Sequence, residues 1–141
     1  MSSSNEFSRP LPDLNEPDTR SFWLSTRENR LVYQVCDDCD QVIFYPRRHC
    51  PSCGGLSTTE HDSAGLGVVY TYTIVRQSGV GFFAKRVPYV IAYVDMDEGF
   101  RIMTEVLTDN VDVISVGARV KVAWENHPGL SIPLFSPVEE T

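Results

Sequence analysis

The stretch CDDCDQVIFYPRRHCPSCGG, residues 36–55, decides how this chain is read. It carries two Cys-x-x-Cys hooks, Cys36/Cys39 and Cys50/Cys53, and these are the 4 cysteines of the whole 141-residue chain. A Cys-x-x-Cys turn aims both sulfurs at one point while its backbone N–H groups turn towards them. Two such turns on a folded-back ribbon close a tetrahedral thiolate site, the arrangement that zinc prefers. Pro51 stiffens the second turn, and Gly54 supplies a positive φ just after it. Asp40 stands in the equivalent place after the first hook, which Asp tolerates better than most residues. Cys36, Cys39, Cys50 and Cys53 are therefore the expected metal ligands, with His49 beside Cys50 read as solvent-facing. A full set of four thiolates leaves no open position for water or substrate, so the ion is expected to brace rather than catalyse. Iron is the rival metal, because the same ligands can make a rubredoxin-like electron carrier.

Composition narrows the field. With 42% hydrophobic residues the chain can build a real core, and its net charge of −7 argues against a protein that wraps a phosphate backbone. The N-terminus lacks a charged and then apolar leader, and no apolar run is long enough to span a bilayer. Four thiols without an export signal point to a cytoplasmic setting and to metal rather than disulfides.

Outward from the hooks, residues 1–14 read as a flexible N-terminus. Residues 15–31 read as a short helix with Asn15 as N-cap, Pro17 in the first turn and Asp18 at the third helical position. Thr19, Phe22, Trp23 and Thr26 fall on one face at i, i+3, i+4, i+7. Residues 32–62 form the ribbon, with strand-like LVYQV and VIFYP runs and GGLSTTEHDSAG as a connector. From residue 63 to 138 the period changes to two. VVYTYTIV (68–75) places Val68, Tyr70, Tyr72 and Ile74 on one side as a buried stripe. PYVIAYVDM, FRIMTEV and RVKVAWE follow as strands, and IPLFSPV as a final edge strand whose prolines an edge tolerates. The fold class is mainly β: about five strands without a strong intervening helix suggest a small barrel, of OB or SH3-like type.

Taken in order, SFW (21–23), RLVYQVCDDC (30–39), YPRRHCPSCGG (45–55), GLGVVYTYTIV (65–75), PYVIAYVDMDEGFRIMTEV (88–106) and VGARVKVAW (116–124) resemble a known family. It is the bacterial and archaeal family once filed as domain of unknown function thirty-five. The resemblance spans roughly residues 13–138. It implies a short N-terminal helix, a rubredoxin-like zinc ribbon and a five-stranded OB-fold barrel. It further implies a non-catalytic accessory partner of a thiolase-like enzyme, of thiolase or steroid side-chain aldolase type. Such a subunit stabilises the larger enzyme and helps bind or channel its acyl-CoA thioester, with structural Zn2+ as its own cofactor. This chain departs from the pattern at Asp40, where glycine is common, and around Thr58–Glu60, where a tryptophan is frequent. The second departure is expected to alter the packing between ribbon and barrel.

Within that frame GVGFFAKRVPY (79–89) is the candidate contact loop. Phe82 and Phe83 could meet an acyl chain, and Lys85 and Arg86 an anionic CoA phosphate or a partner's groove. The bland alternative makes the rings core plugs and the cations a solvated rim. Arg47 and Arg48 at the ribbon tip, and the Phe22–Trp23 pair, carry the same ambiguity between partner contact and self-packing. A catalytic reading starts badly: His49, His61 and His127 are scattered, and no nucleophile elbow or metalloprotease motif is present. Single-stranded nucleic acid is the competing ligand, since OB barrels stack bases on aromatics such as Tyr70, Tyr72 and Tyr93. The only paired cations, however, are Arg47–Arg48 and Lys85–Arg86.

Overall fold

A computed structural model describes residues 8–138, so the first half of the expected flexible N-terminus lies outside the described residues. One helix, α1 (Arg20–Thr26), precedes a three-stranded sheet built from β1 (Val32–Cys36), β2 (Val42–Ile43) and β3 (Thr58–Asp62), in the order β2-β1-β3. Five strands then close a barrel: β4 (Leu66–Val75), β5 (Tyr89–Met96), β6 (Arg101–Val106), β7 (Arg119–His127) and β8 (Leu130–Pro137), in the order β4-β5-β6-β8-β7. A one-turn helix, α2 (Gly81–Ala84), sits between β4 and β5. The chain is thus mainly β, with the five-stranded barrel of an OB-fold behind an N-terminal four-cysteine ribbon.

Alternation builds the barrel core. On β5, Val90, Ala92, Val94 and Met96 are buried, and on β6 Ile102, Thr104 and Val106 face them. Val69, Val120 and Phe135 complete the interior. Burial of each such side chain contributes about 1.5–3 kcal/mol.

The expected stripe on β4 needs correction. The register slips between Val69 and Thr71, a β-bulge that turns the strand by one residue. Before the bulge Gly67 and Val69 face inward; after it Tyr72 and Ile74 pack on the core, while Tyr70 is 52% exposed. The final strand is likewise no edge. β8 pairs with β7 along its length and touches β6 in parallel at Val106–Phe135, closing the barrel. It carries Pro133 and Pro137, neither of which can donate to the ladder, and the Pro133 carbonyl accepts instead from the Thr104 hydroxyl at 3.0 Å.

Three further differences have local causes. The helix begins at Arg20, not beside Asn15, because the Asp13 carboxylate accepts the Asn15 N–H at 2.8 Å and commits residues 13–19 to turns. Thr19 then precedes the helix without a side-chain cap. The presumed connector contains β3, whose five residues pair with β1 from Val32–Asp62 to Cys36–Thr58. Four of those five are exposed, so TTEHD shows no apolar alternation to betray it. The run VIFYP keeps only Val42 and Ile43 in the sheet.

An aromatic seam welds ribbon, helix and barrel. Phe44 of the ribbon stacks on Phe100 of the β5–β6 hairpin at 4.7 Å and meets Phe22 of α1 edge-on at 5.6 Å. Tyr33 of β1 stacks on Phe100 at 5.1 Å and on His61 of β3 at 5.7 Å. Such pairs add about 0.5–1.5 kcal/mol each beyond their buried area. At the junction itself, the Ser63 hydroxyl and the Ala64 N–H both donate to the Glu98 carboxylate at 2.8 Å.

Candidate metal centre and contact surfaces

β1 delivers Cys36 at its last residue, and the turn after it brings Cys39 back beneath the sheet. The second hook returns Cys50 and Cys53 to the same place, with the Gly54 N–H donating to the Cys50 carbonyl at 2.9 Å. Asp40 and Gly54 both take positive φ, 63° and 76°, as the sequence argument for the two hooks required. The four Sγ atoms lie within 4.8 Å of one another.

The donor set fits a tetrahedral ion. Cys36–Cys53 and Cys39–Cys50 sulfurs are 3.6 Å apart, close to the edge of about 3.8 Å that four Zn–S bonds of about 2.3 Å imply. A disulfide would need about 2.05 Å. The Ser52 N–H points at Cys50 Sγ (3.3 Å) and the Gly55 N–H at Cys53 Sγ (3.4 Å). The Cys53 backbone, then that of Ser52, pulls the Cys50 thiol down to about 7. The Gln41 amide favours the Cys39 thiolate too, but burial and the neighbouring sulfurs outweigh it and push that thiol up to about 12. Four thiolates this close repel unless a cation joins them. Cys36 and Cys50 are buried, Cys39 and Cys53 exposed, and His49 is exposed on the ribbon surface.

The second candidate region, α2, is half-buried. Phe82 and Phe83 meet edge to face at 5.0 Å, and Phe83 leans on Tyr89 at 5.7 Å. Arg86 is drawn back over the Phe82 ring (5.2 Å) and onto Glu105 (2.5 Å), while Lys85 is exposed. Arg9, which sequence reasoning passed over, lies on Phe82 at 4.7 Å and on Phe83 at 5.4 Å. No local pattern marks it, because its partners are more than seventy positions away in the chain.

A third feature is an apolar cleft of about 280 Å³ between α1, the ribbon and β6/β8. Trp23, Phe44, Tyr45, Met103 and Pro133 line it, and the Met103 N–H donates to the Tyr45 hydroxyl at 3.2 Å. Phe22 is 6% exposed and belongs to the core, and both it and the partly buried Trp23 border the cleft. At the ribbon tip Arg48 pairs with Asp18 at 3.2 Å, and Arg47 bonds Gln34 through its own backbone.

The barrel wall exposes Tyr70 and Tyr93, but the Arg101 guanidinium over Tyr70 (3.6 Å) is bound to Asp95 at 2.6 Å. A base-stacking platform there has its cation already neutralised. The three histidines stay apart: His61 is on the ribbon, His127 Nε2 donates to the Glu125 carboxylate at 2.7 Å, and His49 is exposed. Among the described residues no helix is long and apolar enough to cross a membrane.

Comparison with known proteins follows this layout. Residues 25–59 match the ChsH2 rubredoxin-like zinc ribbon domain, and residues 60–125 match the ChsH2 C-terminal OB-fold domain. A "probable enoyl-CoA hydratase alpha subunit" of Thermomonospora curvata is 34% identical over 131 residues. That alignment covers 92% of this chain but 40% of the relative, so the chain spans less than half of that protein. A "DUF35 domain-containing scaffold protein" of Methanocaldococcus jannaschii is 31% identical over 72% of this chain and 73% of its own length. Among solved structures, a chain of the "Ltp2-ChsH2(DUF35) aldolase" superposes with a TM-score of 0.79 at 31% identity, over 92% of this chain and 98% of that one. A DUF35 protein of Sulfolobus solfataricus shares the fold at TM-score 0.65 and 16% identity, over 89% of each chain. A four-thiol ribbon set on a five-stranded barrel, in this order and over this length, makes the chain a member of the DUF35 family, with the zinc ribbon and OB-fold domain of ChsH2.

Proposed function

We propose that this chain is a non-catalytic subunit of a thiolase-like acyl-CoA enzyme, of thiolase or steroid side-chain aldolase type. It stabilises the larger partner and helps bind or channel the acyl-CoA thioester. One structural zinc, held by Cys36, Cys39, Cys50 and Cys53, braces the ribbon. The observation that carries the reading is the closed thiol cluster: a tetrahedral ion held by four thiolates has no place for a reactant. The histidines likewise assemble no nucleophile–base pair among the described residues. Likeness to a chain of a solved aldolase over almost all of its length supports the choice of partner.

Two surfaces suit this role. The cleft between Trp23, Tyr45 and Met103 has the aromatic and methionine lining that interface cores favour. Phe82, Phe83, Lys85 and Arg86 are the proposed acyl-CoA or partner contact. The setting is cytoplasmic, a reading supported by cysteines arranged for a metal rather than for disulfides.

Tagged purification from the native host tests the proposal. A co-purifying thiolase-like protein is the expected result. A solitary chain that turns over acyl-CoA would overturn it, and tight salt-sensitive binding of single-stranded oligonucleotides would favour the nucleic-acid alternative.

A further inference from the structure

Strand alternation sets Glu105 on the outer wall of the barrel, between the inward-facing Thr104 and Val106, yet its side chain is 7% exposed. Two pieces of chain cover it. α2 brings Arg86, whose Nη2 lies 2.5 Å from Glu105 Oε2. From the other side the N-terminal segment brings Arg9, whose side chain is 8% exposed although Ser8, Pro10 and Leu11 around it are exposed. A guanidinium buried on an otherwise exposed segment requires a receptor.

The receptor is complete in chemical type. Arg9 donates from Nε and from Nη2 (3.2 Å) to the two oxygens of Glu125, the parallel fork that suits a planar guanidinium. Its flat face rests on Phe82 (4.7 Å) and Phe83 (5.4 Å). His127 holds Glu125 from behind at 2.7 Å. Carboxylates for the edge and rings for the face are what distinguish a guanidinium site from a general cation site.

The occupant does not use the whole receptor. Among the described residues Glu105 Oε1, although buried, accepts no hydrogen bond, and Arg9 Nη2 lies 3.7 Å from it. Arg86 Nε is buried and unbonded as well. Among the described residues, 9–12 make no backbone–backbone hydrogen bond, and the Glu16 N–H donates to the Asp13 carbonyl a little further on. Arg9 is thus a buried anchor of this segment, and it leaves a neighbouring acceptor unmet.

We propose that Phe82, Phe83, Glu105 and Glu125 form a guanidinium-recognition site, that Arg9 is its intrachain occupant, and that residues 8–14 are a latch this occupant closes over the α2 aromatic pair. An arginine from another chain, or a free alkylguanidinium, competes for the same seat. The inference stands on these contacts alone and is independent of which enzyme the subunit serves.

The test uses the full, zinc-loaded chain. Low-millimolar ethylguanidinium added to the unmodified protein is expected to lower the backbone NMR order parameters of residues 8–14 from the rigid range of about 0.85 to below about 0.6, with barrel strands unchanged. Ethylammonium at equal ionic strength is expected to do nothing. In Arg9→Ala the same segment shows the low order parameters without any additive, and ethylguanidinium, not ethylammonium, raises the lowered melting temperature. Should Arg9→Ala fail to fold, the competition on the unmodified chain decides alone. Equal effects of the two cations, or an unaltered segment under ethylguanidinium, would overturn the proposal.

Discussion

Thr26 Oγ1 accepts the buried Ser131 N–H at 3.0 Å while its own hydroxyl donates to the Trp23 carbonyl at 2.5 Å. One fully buried threonine thus fastens α1 to the barrel strand β8. Thr26→Val keeps the shape but leaves the Ser131 N–H without an acceptor, and a buried orphan donor costs about 1–3 kcal/mol. Urea unfolding of the zinc-loaded protein is expected to lose that amount; an unchanged midpoint would show that water substitutes for the hydroxyl.

Removing the ion is expected to unfold the ribbon, since metal binding supplies on the order of 10 kcal/mol to modules of this kind. Cobalt is expected to give the visible absorption of a tetrahedral tetrathiolate, lost in Cys39→Ser. A cobalt spectrum with an exchangeable water ligand would contradict a closed site.

Burial alone pushes the Glu125 carboxyl up, but hydrogen bonds from Arg9 and His127 outweigh it and hold the group below its ordinary value of 4.5. A depressed carboxylate stabilises the fold above its unfolded pKa, and that contribution disappears as pH falls through the folded value. Glu125→Gln is therefore expected to be less stable than the parent above about pH 5, with the gap narrowing as the solution is acidified. Parallel denaturation curves at several pH values give the answer, and a constant gap would rule out ionisation as the source.

Gly67 in β4 runs so close to β5 that a Cβ would meet the Asp95 carbonyl oxygen at 2.6 Å and Val94 Cγ1 at 2.7 Å. A backbone atom cannot step aside cheaply, so Gly67→Ala is expected to cost about 1–3 kcal/mol and to loosen the β4–β5 pairing. Amide exchange along β5 measures it.

Replacing Phe82 and Phe83 by serine tests the proposed acyl-CoA or partner contact. Weaker assembly or turnover in the complex is expected, with the barrel intact by circular dichroism. Full assembly and turnover would return both rings to a purely structural role.

Much of this architecture is legible in the chain. The hooks announce their own geometry, because a Cys-x-x-Cys turn is local, and β5 alternates cleanly against a core. What escapes has identifiable causes. β3 is polar on nearly every residue and is recognisable only through its partner β1. Tyr70 changes sides because a bulge, invisible in the pattern, shifts the phase of β4. The closing of the barrel through β8 is a long-range pairing, and so is the placing of Arg9 against Glu125. The two phenylalanines of α2 are readable as a pair with Arg86 beside them, but nothing nearby in the chain indicates that the distant Arg9 guanidinium also covers them.

The carboxylate of Glu98 gathers both donors of the ribbon–barrel junction from the tip of a single hairpin. That hairpin is in turn tied to the barrel by the Arg119–Asp97 fork, both arms at 2.6 Å. Ribbon and barrel are therefore braced at residues 97–99 by fixed carboxylates as well as by the aromatic seam, so the cysteine-bearing tip keeps one orientation relative to the barrel wall.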